Sequence, residues 1–343
     1  MIPIINNTIR VKQVNVELVK TALKALKNGT KVTLANATGL SLATCGNILN
    51  ELLERGEVIK TDLEQSSGGR PARRFMYNAN YSYIACFFVS NEGDRQRVIY
   101  AVANLIGEII EQQTVEVAVI NYEVIDNLVE ELISHYENIT ALGIGVPGIV
   151  NKGFIVSCDI KELADIALAD KLKEKYNVEV TVENDVNLVA YGFYQKQKYD
   201  EDKSIAVVIF PRDNCSGAGI MVDGHIVRGN TNFAGEVSYL PFDISRDEQI
   251  RQLNLAEAVS PLMVKTIVSI IAVINPETIV VTGNLVQLDM LEQFYNGCES
   301  IIPHEHMPQI LIEENMQGDY MNGLISSTLE SLSCDVQLIE KRL

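Results

Sequence analysis

The chain has 343 residues, enough for two or three domains at the usual roughly 100–200 residues each. Hydrophobic residues make up 47%, ample for a sizeable core, yet no apolar run reaches the ~18 uncharged residues a membrane helix needs. A net charge of −17 argues against nucleic-acid binding until its distribution is read. Residues 1–80 hold eleven Lys/Arg against six Asp/Glu, a net +5, which leaves −22 for the remainder. A mildly basic head on an acidic body is the asymmetry expected when only the head meets phosphate. Six cysteines, at 45, 86, 158, 215, 298 and 334, form no CxxC pair, and the N-terminus has no signal-peptide pattern. Both features suggest reduced thiols and a cytoplasmic chain.

Val16, Val19, Leu23 and Leu26 recur at the spacing of one helical face, and Asn28-Gly29 stops that helix. A short helix over about Val32 to Ala37 is broken by Gly39, and Ser41 is a good N-cap for the next. In that next helix Cys45, Ile48, Leu49, Leu52 and Leu53 make an apolar stripe, while Ser41, Thr44, Asn47 and Glu51 point away, before Arg55-Gly56 ends it. Helix, glycine turn, helix is the helix-turn-helix unit, whose second helix fits the major groove. Candidate base contacts are Ser41, Leu42, Thr44 and Asn47. Strand-like Glu57 to Thr61 and Phe75 to Tyr77 flank a Ser/Gly loop and Arg70-Pro71-Ala72-Arg73-Arg74. Two strands with a basic tip form a wing whose Arg70, Arg73 and Arg74 could reach phosphates or a narrow minor groove. The plainer alternative is a three-helix protein-binding module with a solvated basic loop.

From about Tyr81 strands alternate with helices. Tyr83 to Val89, Arg97 to Val102 and Ile106 to Glu111 read as a meander, followed by a helix over Tyr122 to Tyr136 and a buried strand over Ala141 to Val146. Val178 to Val182 is a strand that runs into Glu183-Asn184-Asp185. Ser204 to Phe210 and Gly217 to Val222, with an Asp223-Gly224 hairpin turn, begin a second, similar set. A long helix over Leu255 to Ile274 precedes a strand over Thr278 to Val281. Two successive sets of this kind suggest a two-lobed, actin-like (ribonuclease-H-like) α/β architecture with a cleft between lobes.

The run from Lys31 to Gly56, with Lys12-Gln13-Val14-Asn15 before it and Gly68-Gly69-Arg70-Pro71 after it, resembles the head of regulators of the ROK family (repressor, open reading frame, kinase). Gly143 to Gly148, Glu183-Asn184-Asp185-Val186-Asn187, Ala234-Gly235-Glu236 and Asn275-Pro276-Glu277 resemble the family's kinase-domain motifs in sequence and order. The resemblance implies a winged helix-turn-helix over 1–78 and a two-lobed ROK domain over 79–343, with lobes at about 79–200 and 201–343. It also implies a sugar pocket formed by Asn184, Asp185 and Glu236, in which the Asp is the base in active kinases.

Several family elements are missing. The first phosphate loop corresponds to Phe88 to Gly93, without its Asp or paired glycines. The second corresponds to Asp213-Asn214-Cys215, which puts a carboxylate against a triphosphate, and the adenosine-side Gly-Gly is Gly283-Asn284. Tyr239 stands where the family's zinc-ligating His is expected, and no Cys occurs between Cys215 and Cys298, so neither metal nor cofactor is expected. His304-Glu305-His306 reads as solvated surface. These readings lead to a DNA-binding regulator without kinase activity. It would bind a double-stranded operator as a homodimer or higher homo-oligomer, respond to a sugar or sugar phosphate, and have no membrane partner. The alternatives are a carbohydrate kinase with a DNA-binding head, or a regulator whose pocket is dead, with Asp185 and Asn187 merely capping a helix.

Overall fold

The computed structural model describes residues 5–63, 72–92, 95–199, 201–255 and 258–332. The head opens with α1 (Ile5–Leu26), which runs into β1 (Gly29–Thr30), α2 (Lys31–Thr38) and α3 (Leu42–Arg55). Two further strands, β2 (Val58–Leu63) and β3 (Arg73–Tyr77), complete a small antiparallel sheet of order β1-β3-β2. Thr30 caps α2, Gly39 ends it at φ +69°, and Ser41 caps α3 by accepting the Thr44 N–H at 3.0 Å. The expected apolar stripe closes the core: Val19, Leu23, Leu34, Cys45, Ile48, Leu49, Leu52, Val58 and Phe75 are buried together. Strand β1 escapes sequence reading because two residues carry no period.

The body starts with β4 (Tyr83–Glu92), β5 (Arg95–Asn104) and β6 (Ile109–Val117). The third strand begins at Ile109, not Ile106, because Gly107 at φ +83° makes the turn. Then follow α4 (Tyr122–His135), β7 (Ile139–Val146), the hairpin β8 (Gly148–Asn151) and β9 (Phe154–Cys158), α5 (Leu168–Tyr176), β10 (Glu179–Asn184) and α6 (Asp185–Gln197). The second set is β11 (Ile205–Ile209), β12 (Gly217–Val222), β13 (His225–Ile226), α7 (Arg246–Leu255), α8 (Pro261–Ile274), β14 (Thr278–Thr282), α9 (Leu291–Glu299), β15 (Gln309–Ile312) and α10 (Gln317–Ser331). The helix expected over 255–274 starts only at Pro261, and Leu255 instead ends α7. Ser260 caps a new helix that has Pro261 in its first turn, a residue that starts helices but does not continue them.

The two five-stranded sheets share one topology. In the first, β6-β5-β4 is an antiparallel meander and β4-β7-β10 is parallel; in the second, β13-β12-β11 and β11-β14-β15 repeat the pattern. The outer face of the first sheet packs residues of α4 and α5, and that of the second packs α8 and α9. The inner faces share α6 and α10. Leu188, Tyr320, Leu324 and Ile325 pack on Ile84, Cys86 and Ala141 of the first sheet, and Ala190 and Phe193 pack on Val207 and Met221 of the second. Helix α10 therefore returns to the first sheet, although it follows the second in sequence. A lobe running continuously over 201–343 does not describe this packing.

Candidate functional site

On the head, α3 presents Leu42, Ala43, Asn47 and Asn50 to solvent while its opposite side is buried. Leu42 is 53% exposed. It borders a concavity of about 490 Å³ lined by Val32, Ala35, Asn36, Gly39, Leu40 and itself. Ser41 is exposed, but its Oγ serves the helix cap and lies 2.8 Å from Thr44 Oγ1, so these two hydroxyls engage each other. Glu51, expected on the same face, forms ion pairs with Lys12 at 2.8 Å and with Arg55. Asn50 was not singled out in the sequence; its position three residues after Asn47 was the available signal.

The wing arginines separate. Arg70 lies outside the described residues. Arg73 and Arg74 sit in β3, not in a loop tip; Arg73 is exposed. Arg74 is half-buried, and its Nη1 donates to Asn28 Oδ1 at 2.7 Å, tying the strand to the end of α1. Pairing β3 with β1 as well as β2 is what draws Arg74 inward.

In the body, β10 delivers Asn184 and Asp185 to the first turn of α6, between the sheets. Asn184 accepts the Asn187 N–H at 3.0 Å and donates to the Gly148 carbonyl at 3.0 Å, so both its polar atoms are engaged within the protein. Its role as helix cap is the structural alternative weighed for this segment, carried by Asn184 instead of Asp185 or Asn187. Asp185 accepts the Val186 N–H at 2.8 Å. Burial pushes its pKa up to about 7, and the nearby Asp159 and Glu236 carboxylates push the same way. Burial raises Glu236 too; Arg246 opposes the shift and Asp159 adds to it. The fold thus gathers Asp159, Asp185 and Glu236 from three separate segments. Asp159 carries no sequence signal, since its only connection to the others is spatial.

Three side chains join the lobes around this cluster. Arg228 Nε and Nη2 both reach buried Glu183 Oε2 at 2.8 Å. Asn232 donates to the Val150 carbonyl at 2.6 Å, and Asn214 donates to Asp159 Oδ2 at 2.5 Å. A carboxyl group that titrates near neutrality, as Asp185 does, can both donate to and accept from hydroxyls, which suits an uncharged polyol.

The segments expected at a nucleotide site have other bonds. Strand β4 runs on through Glu92, which pairs with Arg95 of β5. Asp213 exchanges two hydrogen bonds with Asn254: its N–H reaches Asn254 Oδ1 at 3.1 Å, and Asn254 Nδ2 reaches its Oδ1 at 2.7 Å. Gly283, at φ +113°, packs so tightly that a Cβ would lie 2.4 Å from the Phe210 carbonyl oxygen. Tyr239 is exposed under the Arg246 guanidinium, 4.5 Å from its ring centre, and accepts a bond from Arg246 at 2.9 Å. His304 pairs with Glu299 at 2.7 Å. Among the described residues no group of three or more His, Cys, Asp or Glu could hold a metal ion.

Residues 93–251 match the ROK family. A xylose repressor of Bacillus subtilis is 27% identical over 247 residues, 68% of this chain and 62% of that protein. The match thus spans under two thirds of that relative's length. A glucokinase of Halalkalibacterium halodurans is 30% identical over 128 residues, 36% of this chain and 38% of that one. A crystal structure of a ROK family transcriptional regulator, described as a homolog of the E. coli MLC protein, superposes with a TM-score of 0.69 at 19% identity. It covers 94% of this chain and 97% of its own. The glycine strand, the Glu-Asn-Asp strand end and the Gly-Glu turn all fall inside the span that matches the ROK family.

Proposed function

We propose that this protein is a sugar-responsive transcriptional repressor that binds an operator through a winged helix-turn-helix over residues 1–78 and senses its effector in a two-lobed body over 79–343. The observation that carries the reading is α3. It is a capped 14-residue helix on a closed core, with an exposed face of Leu42, Ala43, Asn47 and Asn50. Carboxamides at Asn47 and Asn50 suit adenine N6 and N7, and Leu42 suits a thymine methyl. Arg70 and Arg73 would supply phosphate contacts, and Arg74 a structural tie. One such helix reads few base pairs, so a homodimer on a two-fold operator is expected. Names of the curated relatives favour a sugar effector, xylose foremost. Three carboxylates in the cleft favour a neutral sugar over a sugar phosphate, because an added anion would be repelled.

A second reading, a ROK kinase with a DNA-binding head, draws support from Asp185, whose pKa of about 7 would suit a general base. Against it stand the occupied Asp213 loop and the missing glycines, since phosphoryl transfer depends on positioning and neutralising the transferred group. Selection of DNA from a random duplex pool by the full-length protein, followed by footprinting, tests the leading reading. Enrichment of a two-fold site is expected. Failure to enrich any sequence at low salt would remove the regulator assignment.

A further inference from the structure

Helix α10 joins the two places discussed above. At its start, Tyr320 is buried, stacked on Phe88 with ring centres 3.9 Å apart, over Gly145. A Cβ on Gly145 would lie 2.3 Å from Tyr320 Oη, so the glycine of the cleft strand exists to admit this ring. One turn on, Leu324 and Thr328 lie over Gly143, where a Cβ would meet Thr328 Oγ1 at 2.0 Å. Tyr320 Oη itself has no hydrogen-bond partner among the described residues. At the other end, Leu329 and the adjoining Leu332 pack into the hydrophobic core of the head, beside Leu105 from the β5–β6 turn. Tyr320 and Leu329 are about 14 Å apart along one unbroken helix.

Between these ends α10 crosses α6 with no side chain in the gap. A Cβ on Gly192 would lie 1.7 Å from the Asp319 carbonyl oxygen, and one on Gly323 would lie 2.0 Å from the Leu188 carbonyl oxygen. Two helices in backbone contact cannot take up a displacement by rotating side chains, because nothing flexible separates them. Helix α6 begins with Asp185, and its cap is Asn184. Any movement that a ligand imposes on the first turn of α6 therefore meets α10 at a rigid crossing, and the end of α10 packs against the core of the head.

We infer that the α6–α10 crossing is the mechanical link between the cleft and the head, with Leu329 and Leu332 as its output contacts. The inference rests on the regulator reading above, because it names how that cleft controls that head. By reciprocity, what the cleft does to the head the head does to the cleft. The link can thus be tested without knowing the effector or the operator.

The test is hydrogen exchange read by mass spectrometry on the full-length chain, comparing wild type with Leu329→Ala/Leu332→Ala. Exchange should rise about tenfold in the head and also in the peptide 183–190, which holds the first turn of α6. Leu34→Ala removes a more deeply buried side chain of the head core that does not belong to α10, and should speed exchange in the head alone. Leu329→Val replaces the double variant if circular dichroism shows that it has unfolded. In the reverse direction, Asp185→Asn should alter exchange in peptide 45–55. The proposal is overturned if 183–190 exchanges as in wild type, or if Leu34→Ala disturbs it equally, which would mean general destabilisation. A protein that shows this coupling but selects no DNA would sink the regulator reading and leave the link intact; a DNA binder without the coupling would do the reverse.

Discussion

Replacing Asp185 by asparagine removes one charge and almost no volume, and an amide oxygen can still accept the Val186 N–H bond seen at 2.8 Å. What changes is titration. The carboxyl has an ordinary value of 3.8 and is raised to about 7 in the fold, first by burial and then by Asp159 and Glu236. Between those two values the folded chain holds a proton that the unfolded chain has lost. The folded state binds more protons, so stability falls as pH rises through this window. The cost of the charge is absent below the unfolded value and complete above the folded one. At about 1.4 kcal/mol per pKa unit, the shift sets an upper limit of about 4 kcal/mol. Asp185 is only partly buried and the cleft admits solvent, so about half of that, ~2 kcal/mol, is the working figure. The Asn variant should therefore be about 2 kcal/mol more stable than wild type at pH 8, and the gap should shrink steadily toward pH 4. The variant-minus-wild-type difference cancels every other titrating group to first order. The chain has no tryptophan, so urea unfolding is best followed by circular dichroism. An Asn variant less stable than wild type at pH 8, or an offset equal at pH 5 and pH 8, would refute the reasoning.

Asn47→Ala should weaken binding to the selected operator by about 1–3 kcal/mol and relax preference at one base pair, while Ser41→Ala should act mainly through loss of the α3 cap; footprinting beside thermal melting separates the two. Calorimetry should detect no binding of Mg-ATP, and a coupled assay on a panel of hexoses and pentoses should detect no phosphorylation. Turnover that disappears in Asp185→Asn would restore the kinase reading. Gly145→Ala should destabilise by about 1–3 kcal/mol, because the added methyl displaces the Tyr320 ring from Phe88, and denaturant midpoints would show it.

Local signals explain why much of the head was legible. A 3.6-residue apolar period, a serine cap and glycines at helix ends are read within a few residues, and Val19, Leu23, Cys45, Ile48 and Leu49 are buried as that period requires. Strands in the body were equally legible, from Ala141–Val146 to Thr278–Val281, because buried parallel strands are short continuous apolar runs. The differences lie at local punctuation: Ser260-Pro261 starts a helix later than its apolar pattern suggests, and Gly107 delays a strand.

Sequence alone determined the order of elements, the charge contrast between head and body, and the motifs that lead to Asp185 and Glu236. Tertiary structure decided which groups share a space. Asp159 joins Asp185 and Glu236 across 26 and 77 positions of chain, Arg228 finds Glu183 from the opposite lobe, and Arg74 turns inward to Asn28. Gly143 and Gly145 read as part of a buried strand and of a family motif, yet their lack of side chains serves α10, which is encoded far later in the chain and packs onto their strand. Local propensity acts through neighbours along the chain, whereas burial, charge coupling and helix crossings depend on neighbours in space, and those are assigned only when the whole chain has closed on itself.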